Sequence, residues 1–360
     1  MGTRPCPPAR GGMQRLPQSR WTDLLTIVVS SSPVPSNPDT STLRAGFESL
    51  RLVPGLPSCA KLIQFDGPQA SLPTARVQQY SVFKERVRSL AASDPAFKHT
   101  VVYASNEFLF ASHNLAAAVS RVNTTFFFSL QHDYQLARPF DAPRLLRSML
   151  AVPVIKHVRL NMRSNAPARG FDGAIANATL RGLEVPLTRT CGWSDAPHIA
   201  RTDYYINFVI PRNFGDHNHG RRKFMEESLH YPMQRNFLTG GCWELKQQIK
   251  AGVKDAKWPA DFDDYGTYLY GLATRTDGSY TVHRSLRGHV PQWGFDHDPR
   301  RVDNETAGLP GSLAARWRGQ RRRRGLRQSA RKDKSEPSGR GGSRVRGKRQ
   351  DRPEVKQRAR

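Results

Sequence analysis

Residues 124–134 read TTFFFSLQHDY, an apolar run that stops abruptly at Gln131, His132 and Asp133. A carboxylate at such a point marks either a strand's arrival at the surface or a site. Asp66, followed by Gly67, ends a second apolar run, Ala60–Phe65, in the same way. Carboxylates in these positions suit two kinds of chemistry: holding a hard divalent cation, and taking a proton as a general base. Imidazoles are metal-ligand types too. That adds His132 and His283, together with Asp216, His217 and His219 in the polar run GDHNHGRRK at 215–223. The bland alternatives are a turn for Asp66-Gly67, a structural role for a lone histidine, and a mobile loop for the polar run.

These residues need elements to position them. Residues 24–29 are almost wholly apolar and rich in β-branched side chains, which suits a strand buried on both faces. A Ser/Pro/Asn loop follows, then a helix over 43–52 with Leu43, Phe47 and Leu50 on one face, capped by Ser41 or Thr42. Pro54-Gly55 breaks that helix before the strand ending at Asp66. The pattern repeats with a helix over 75–92, a strand over 100–103, a helix over 108–122 and the FFF strand. Alternating strands and helices predict an α/β domain with a mainly parallel central sheet flanked by helices. Such sheets bind ligands beyond the carboxyl ends of their strands, and Asp66 and Asp133 both sit at such ends. Further on, the pattern predicts a helix over 139–150, strands over 154–160, 206–210 and 280–283, and a helix over 223–229.

Composition bounds the function classes. The chain has 360 residues and a formal net charge of +26. Residues 311–360 carry 19 Lys+Arg against 4 Asp+Glu, including Arg321 to Arg324 in a row, and almost nothing apolar after Leu326. A segment of that kind has too little apolar surface to offset its ordering entropy, so 296–360 is expected to be a disordered basic tail. Its charge would allow weak contact with nucleic acid or an acidic membrane. Residues 1–20 read as a disordered or targeting segment, with four arginines and no acid. Cys6, Cys59, Cys191 and Cys242 are widely spaced, which excludes a zinc finger and leaves room for one disulfide. No apolar run reaches the roughly 18–20 residues of a membrane span, and the location is left open between cytosol and Golgi.

The order of these features resembles a known family. An apolar first strand, a strand ending in Asp66-Gly67, a helix carrying Asn114 before small residues, and FFFSLQHDY together resemble the nucleotide-binding half of a GT-A fold glycosyltransferase of the large inverting family. WSDAPHIARTDYY, KFMEESLH and YGTYLYG resemble a glycosyltransferase-like branch of algae and large viruses, and the likeness covers roughly residues 24–283. The resemblance implies one domain over 21–295, its nucleotide-binding half at 21–150 and its acceptor half at 151–295. It implies that Asp66, Asn114 and Gln131 contact the nucleotide and that Asp133 holds Mn²⁺ or Mg²⁺; His283, by its residue type alone, is a second metal-ligand candidate. It also implies that Asp195, Glu226 or Glu227 supplies the catalytic base. Gln131 stands where the family's D-x-D motif has its first acid, and it adds no charge there.

The activity so implied is transfer of a sugar from a nucleotide-diphosphate donor to a hydroxyl of a glycan, protein or lipid acceptor, with inversion and metal assistance. Trp193 could stack on an acceptor sugar or pack in a core. Two alternatives stand beside this reading. One is a catalytically inactive protein of the same fold, suggested by Gln131. The other is a nucleic-acid-binding protein acting through its Arg-rich tail. RNA binders usually interleave aromatics with basic residues on a sheet face, whereas here the aromatics lie in apolar strands and the charge lies apart from them.

Overall fold

The computed structural model describes residues 18–167, 173–214, 224–238, 248, 251 and 262–283. The expected basic tail, most of the first 20 residues, Asp216, His217 and His219 lie outside the described residues.

Strands β1 (Leu25–Ser31), β2 (Ala60–Phe65), β3 (Thr100–Ala104) and β4 (Phe126–Ser129) are joined through helices α1 (Ser41–Ser49), α2 (Thr74–Ser93) and α3 (Phe110–Val119). All four strands run parallel, with β1 between β2 and β4 and with β3 outside β2. Continuous apolar sequence is what two-sided burial requires. Ile27, Val28, Phe126, Phe127 and Phe128 have no exposed surface. Each such side chain contributes about 1.5–3 kcal/mol relative to leaving it in water.

The rest of the chain extends the same sheet. After β5 (Tyr134–Leu136) and α4 (Ala142–Ala151) come β6 (His157–Arg159), β7 (Ala174–Asn177), β8 (Leu187–Thr190) and β9 (His198–Arg201). The last two strands are β10 (Thr267–Tyr270) and β11 (Thr281–His283). The sheet has nine strands in the order β3-β2-β1-β4-β9-β6-β10-β8-β7. β9 joins β4 to β6 by antiparallel pairing on both sides. β5 and β11 form a separate two-stranded ribbon in which His283 lies opposite Tyr134. α4 starts at Asp141, whose side chain accepts the Arg144 N–H at 3.0 Å, and buries Leu145, Leu146 and Met149.

The expected strand over 206–210 is not one. Residues 202–214 are helical throughout, as α5 (Thr202–Tyr204), a π-turned stretch (Tyr205–Val209) and α6 (Ile210–Phe214). Ile206 and Phe208 read as strand formers, but the buried positions are Tyr205, Val209 and Asn213, and Ile206 is exposed. That four-residue spacing is helical. Helix α7 (Met225–Leu238) starts two residues into the expected 223–229, of which 223 lies outside the described residues, and runs beyond its end, burying Met225, Leu229 and Met233. Among the described residues no helix is long and apolar enough to cross a membrane. Cys59 is free and buried, and Cys191 is disulfide-bonded.

Candidate functional site

The chain leaves β1 toward β2 on one side and returns to β4 on the other, so the carboxyl ends of β1 and β4 flank a topological switch point. Open α/β sheets place ligands at such a point. A cleft of about 340 Å³ lies there, lined by Ser31, Asp66, Asn114, Gln131, His132 and Asp195 among others.

Asn114 bridges the ends of β1 and β2, and Asp66 ties the end of β2 to the start of α3. The buried Asp66 carboxylate accepts the N–H groups of Gly67 (2.8 Å), Leu109 (2.6 Å) and Phe110 (3.0 Å). It thereby fixes the chain entering α3. Phe110 has φ +66°, a conformation strained for a bulky side chain. Gly67 is required by close approach, since a Cβ there would lie 2.3 Å from the Glu107 carbonyl. Asn114 donates its Nδ2 to the carbonyls of Ser31 (3.3 Å) and Gln64 (3.2 Å). Its buried Oδ1 has no partner among the described residues. The resulting wall is aromatic on one side, with Phe108, Phe110 and the exposed Phe224 lining the cleft. The ring centroids of Phe110 and Phe224 are 5.2 Å apart.

At the end of β4 the chain turns. The Tyr134 N–H donates to the Gln131 carbonyl at 3.0 Å, and His132 is tied to the β1 end through Nδ1 and its N–H, 3.2 and 3.3 Å from the Ser30 carbonyl. A carbonyl only accepts, so Nδ1 carries a proton. Nε2 is buried and has no partner among the described residues. Asp133 meets His283 across the β5–β11 ribbon, Oδ2 to Nε2 at 2.9 Å. Burial would raise the Asp133 carboxyl, but the His283 hydrogen bond and the nearby histidines outweigh it and hold the group below the usual carboxylate value. The Asp133 hydrogen bond in turn raises His283.

Among the described residues no three His, Cys, Asp or Glu side chains gather into a metal-holding group. Asp133 and His283 do make a pair that fits a shared ion. Adjacent ligands of an octahedral ion bound at about 2.1 Å are ~3.0 Å apart, and these two atoms are 2.9 Å apart. Asp133 Oδ1 is also buried without a partner among the described residues. Mg²⁺ is commonly held by one or two carboxylates with phosphate oxygens and water, and Asp133 is the carboxylate here; His283 would join it only by giving up the proton it now shares with Asp133.

Asp195 comes from the loop between β8 and β9 and lines the same cleft. Burial, followed by the negative charge of Glu226 and then that of Glu227, pushes its carboxyl up to about 7. Glu226 is half-buried and Glu227 exposed in the first turn of α7. Glu227 is turned toward its own helix start, accepting the Phe224 N–H at 3.4 Å. Tyr134, which follows Asp133, is raised by burial and then by the charges of Asp133, Asp195 and Glu226. Its phenol marks where the two acid groups converge. Trp193 is fully buried, its Nε1 donating to the Tyr204 hydroxyl at 3.2 Å, so it packs in the core and offers no face to an acceptor. Tyr134, Phe110 and Phe224 were not singled out from sequence. Only Tyr134, adjacent to Asp133, carried a signal there.

No protein-family profile matches this chain, and no curated protein matches it. Among solved structures it is similar to TarS from S. aureus at 12% identity and a TM-score of 0.31, over 51% of this chain and 30% of that one. It is similar to the mannosyltransferase PcManGT from Pyrobaculum calidifontis, solved in complex with GDP-Man and Mn²⁺, at 9% identity and a TM-score of 0.33. That alignment covers 51% of this chain and 46% of PcManGT. It is also similar to HddC from Yersinia pseudotuberculosis at 12% identity and a TM-score of 0.31, over 50% of this chain and 77% of that one. The matched part therefore spans under half of TarS and of PcManGT. Likenesses this distant assign the chain to no family.

Proposed function

We propose that this chain is a GT-A-type glycosyltransferase that moves a sugar from a nucleotide-diphosphate donor to a hydroxyl acceptor, with inversion. One observation carries the reading. Asp195 lines the cleft at the switch point of a parallel sheet, Asp133 directly follows the lining residues Gln131 and His132, and the two environments push these acids in opposite directions. Asp133 is held below the usual carboxylate value, and Asp195 is raised to about 7. Titratable groups driven apart in this way divide acid and base tasks between them.

The division suits sugar transfer. The donor leaves as a diphosphate, and negative charge builds on its oxygens. Asp133 and His283 would hold Mn²⁺ or Mg²⁺, which supplies charge neutralisation to that leaving group. Asp195, with Glu226 beside it, takes the proton from the acceptor hydroxyl as the oxygen attacks the anomeric carbon. Asn114 and Asp66 shape the nucleotide end of the cleft, where the Asn114 Oδ1 offers an acceptor to a ribose hydroxyl or a base N–H. Gln131 lines the cleft and donates its amide to the Asp195 carbonyl.

A second reading, a nucleotide-binding protein without turnover, is favoured by the lack of a three-ligand metal group among the described residues. Release of UDP or GDP from a panel of sugar nucleotides separates the two. The transferase reading expects Mn²⁺-stimulated release that Asp133→Ala abolishes. Unchanged release by that variant removes Asp133 from the metal site, and binding without release by the wild type favours the second reading.

A further inference from the structure

The Asp195 loop is held through its carbonyl oxygens. His230, one turn along α7 from Glu226, places Nδ1 2.9 Å from the Trp193 carbonyl. His198 places Nδ1 2.8 Å from the Ala196 carbonyl, while its Nε2 accepts the Tyr205 hydroxyl proton at 2.9 Å. The Asp195 carbonyl, between these two, takes the Gln131 side-chain amide, Nε2 to O at 3.2 Å. His198 and His230 act from the buried side. Gln131 acts from the cleft, and its backbone belongs to the turn that His132 clamps to the end of β1.

We infer that Gln131 is a positioning residue whose side-chain amide holds the main chain of Asp195 against the carboxyl end of β4. This rests on the transferase reading for its consequence, not for its geometry. It gives a physical reason for the residue type. The group facing Gln131 is a carbonyl, so the position needs a donor. An Asp or Glu here would set an acceptor against an acceptor. It would also add a charge beside Asp195, which already faces Glu226 and Glu227 from α7 and the phenols of Tyr134 and Tyr205. Gln131 touches neither reacting atom in this arrangement. It acts through the position of Asp195.

The test uses the full chain and the variants Gln131→Ala and Gln131→Glu, read three ways. Amide hydrogen exchange over 191–200 should quicken about fivefold in both, as expected for loss of one hydrogen bond. In Gln131→Ala the affinities for UDP and GDP in the presence of Mn²⁺ should not change. With a sugar nucleotide that the wild type turns over, kcat should fall while the donor KM holds. Unchanged exchange in both variants overturns the inference, as does weaker diphosphate binding with unchanged exchange, which would make Gln131 a nucleotide contact. If either variant fails to fold, Gln131→Met keeps the length without the donor and takes its place. A wild type without turnover, whose variants nonetheless exchange faster, keeps the latch and removes the transferase reading instead.

Discussion

Asp133 and Asp195 show how two identical carboxyl groups are given different work by their neighbours. Asp133 meets a histidine and is held ionised. Asp195 meets burial and other acids and is raised to about 7. Turnover limited by Asp195 as base should therefore rise with pH through about 7, because only the ionised form accepts a proton. Asp195→Asn should remove that rise and lower kcat by roughly a hundredfold or more, measured as a pH–rate profile. The same raised value has a sign for stability. The folded chain holds the Asp195 proton to higher pH than the unfolded one, so this group favours unfolding as pH rises from the ordinary Asp range through about 7. Asp195→Asn should accordingly be more stable than wild type at pH about 8, with the gain shrinking at pH about 5. Urea unfolding at the two pH values reads this directly.

The strand ends and the start of α3 make the cleft, and Asp66 is the residue that joins them. Asp66→Ala would leave three backbone N–H groups without their acceptor. It should destabilise the fold by about 3 kcal/mol, checked by urea unfolding, and Asp66→Asn, which keeps an acceptor oxygen, should cost less. This layer was largely legible in the sequence. Continuous apolar runs ending in Asp66 and Asp133 mark parallel strands and the side of the sheet where the cleft lies. The second half was less so. Tyr-Ile-Asn-Phe-Val at 205–209 has strand-forming residues, yet it folds as helix because packing chose Tyr205, Val209 and Asn213 as its inner face. Short strands such as β8 and β9, of four residues each, leave too little alternation to be seen. Nor does local pattern show that Gln131 meets the Asp195 carbonyl, a contact between residues 64 positions apart.

At the scale of the molecule, one sheet runs through both halves of the chain, so the acids of the second half reach a cleft built by the first. The arginine-rich segment at 311–360 stands apart in sequence and lies outside the described residues. Removing it should leave diphosphate binding unchanged and abolish any salt-sensitive affinity for RNA, measured by titration at two ionic strengths. The central claim is that the cleft at the end of β1 and β4 takes a nucleotide diphosphate through a metal held by Asp133 and His283. Isothermal titration of UDP and GDP into the full chain, with Mn²⁺ and then with chelator, tests it most directly. The account predicts binding of at least one diphosphate that needs the metal and is lost in Asp133→Ala. No binding to either, or binding indifferent to both the metal and Asp133, would contradict it.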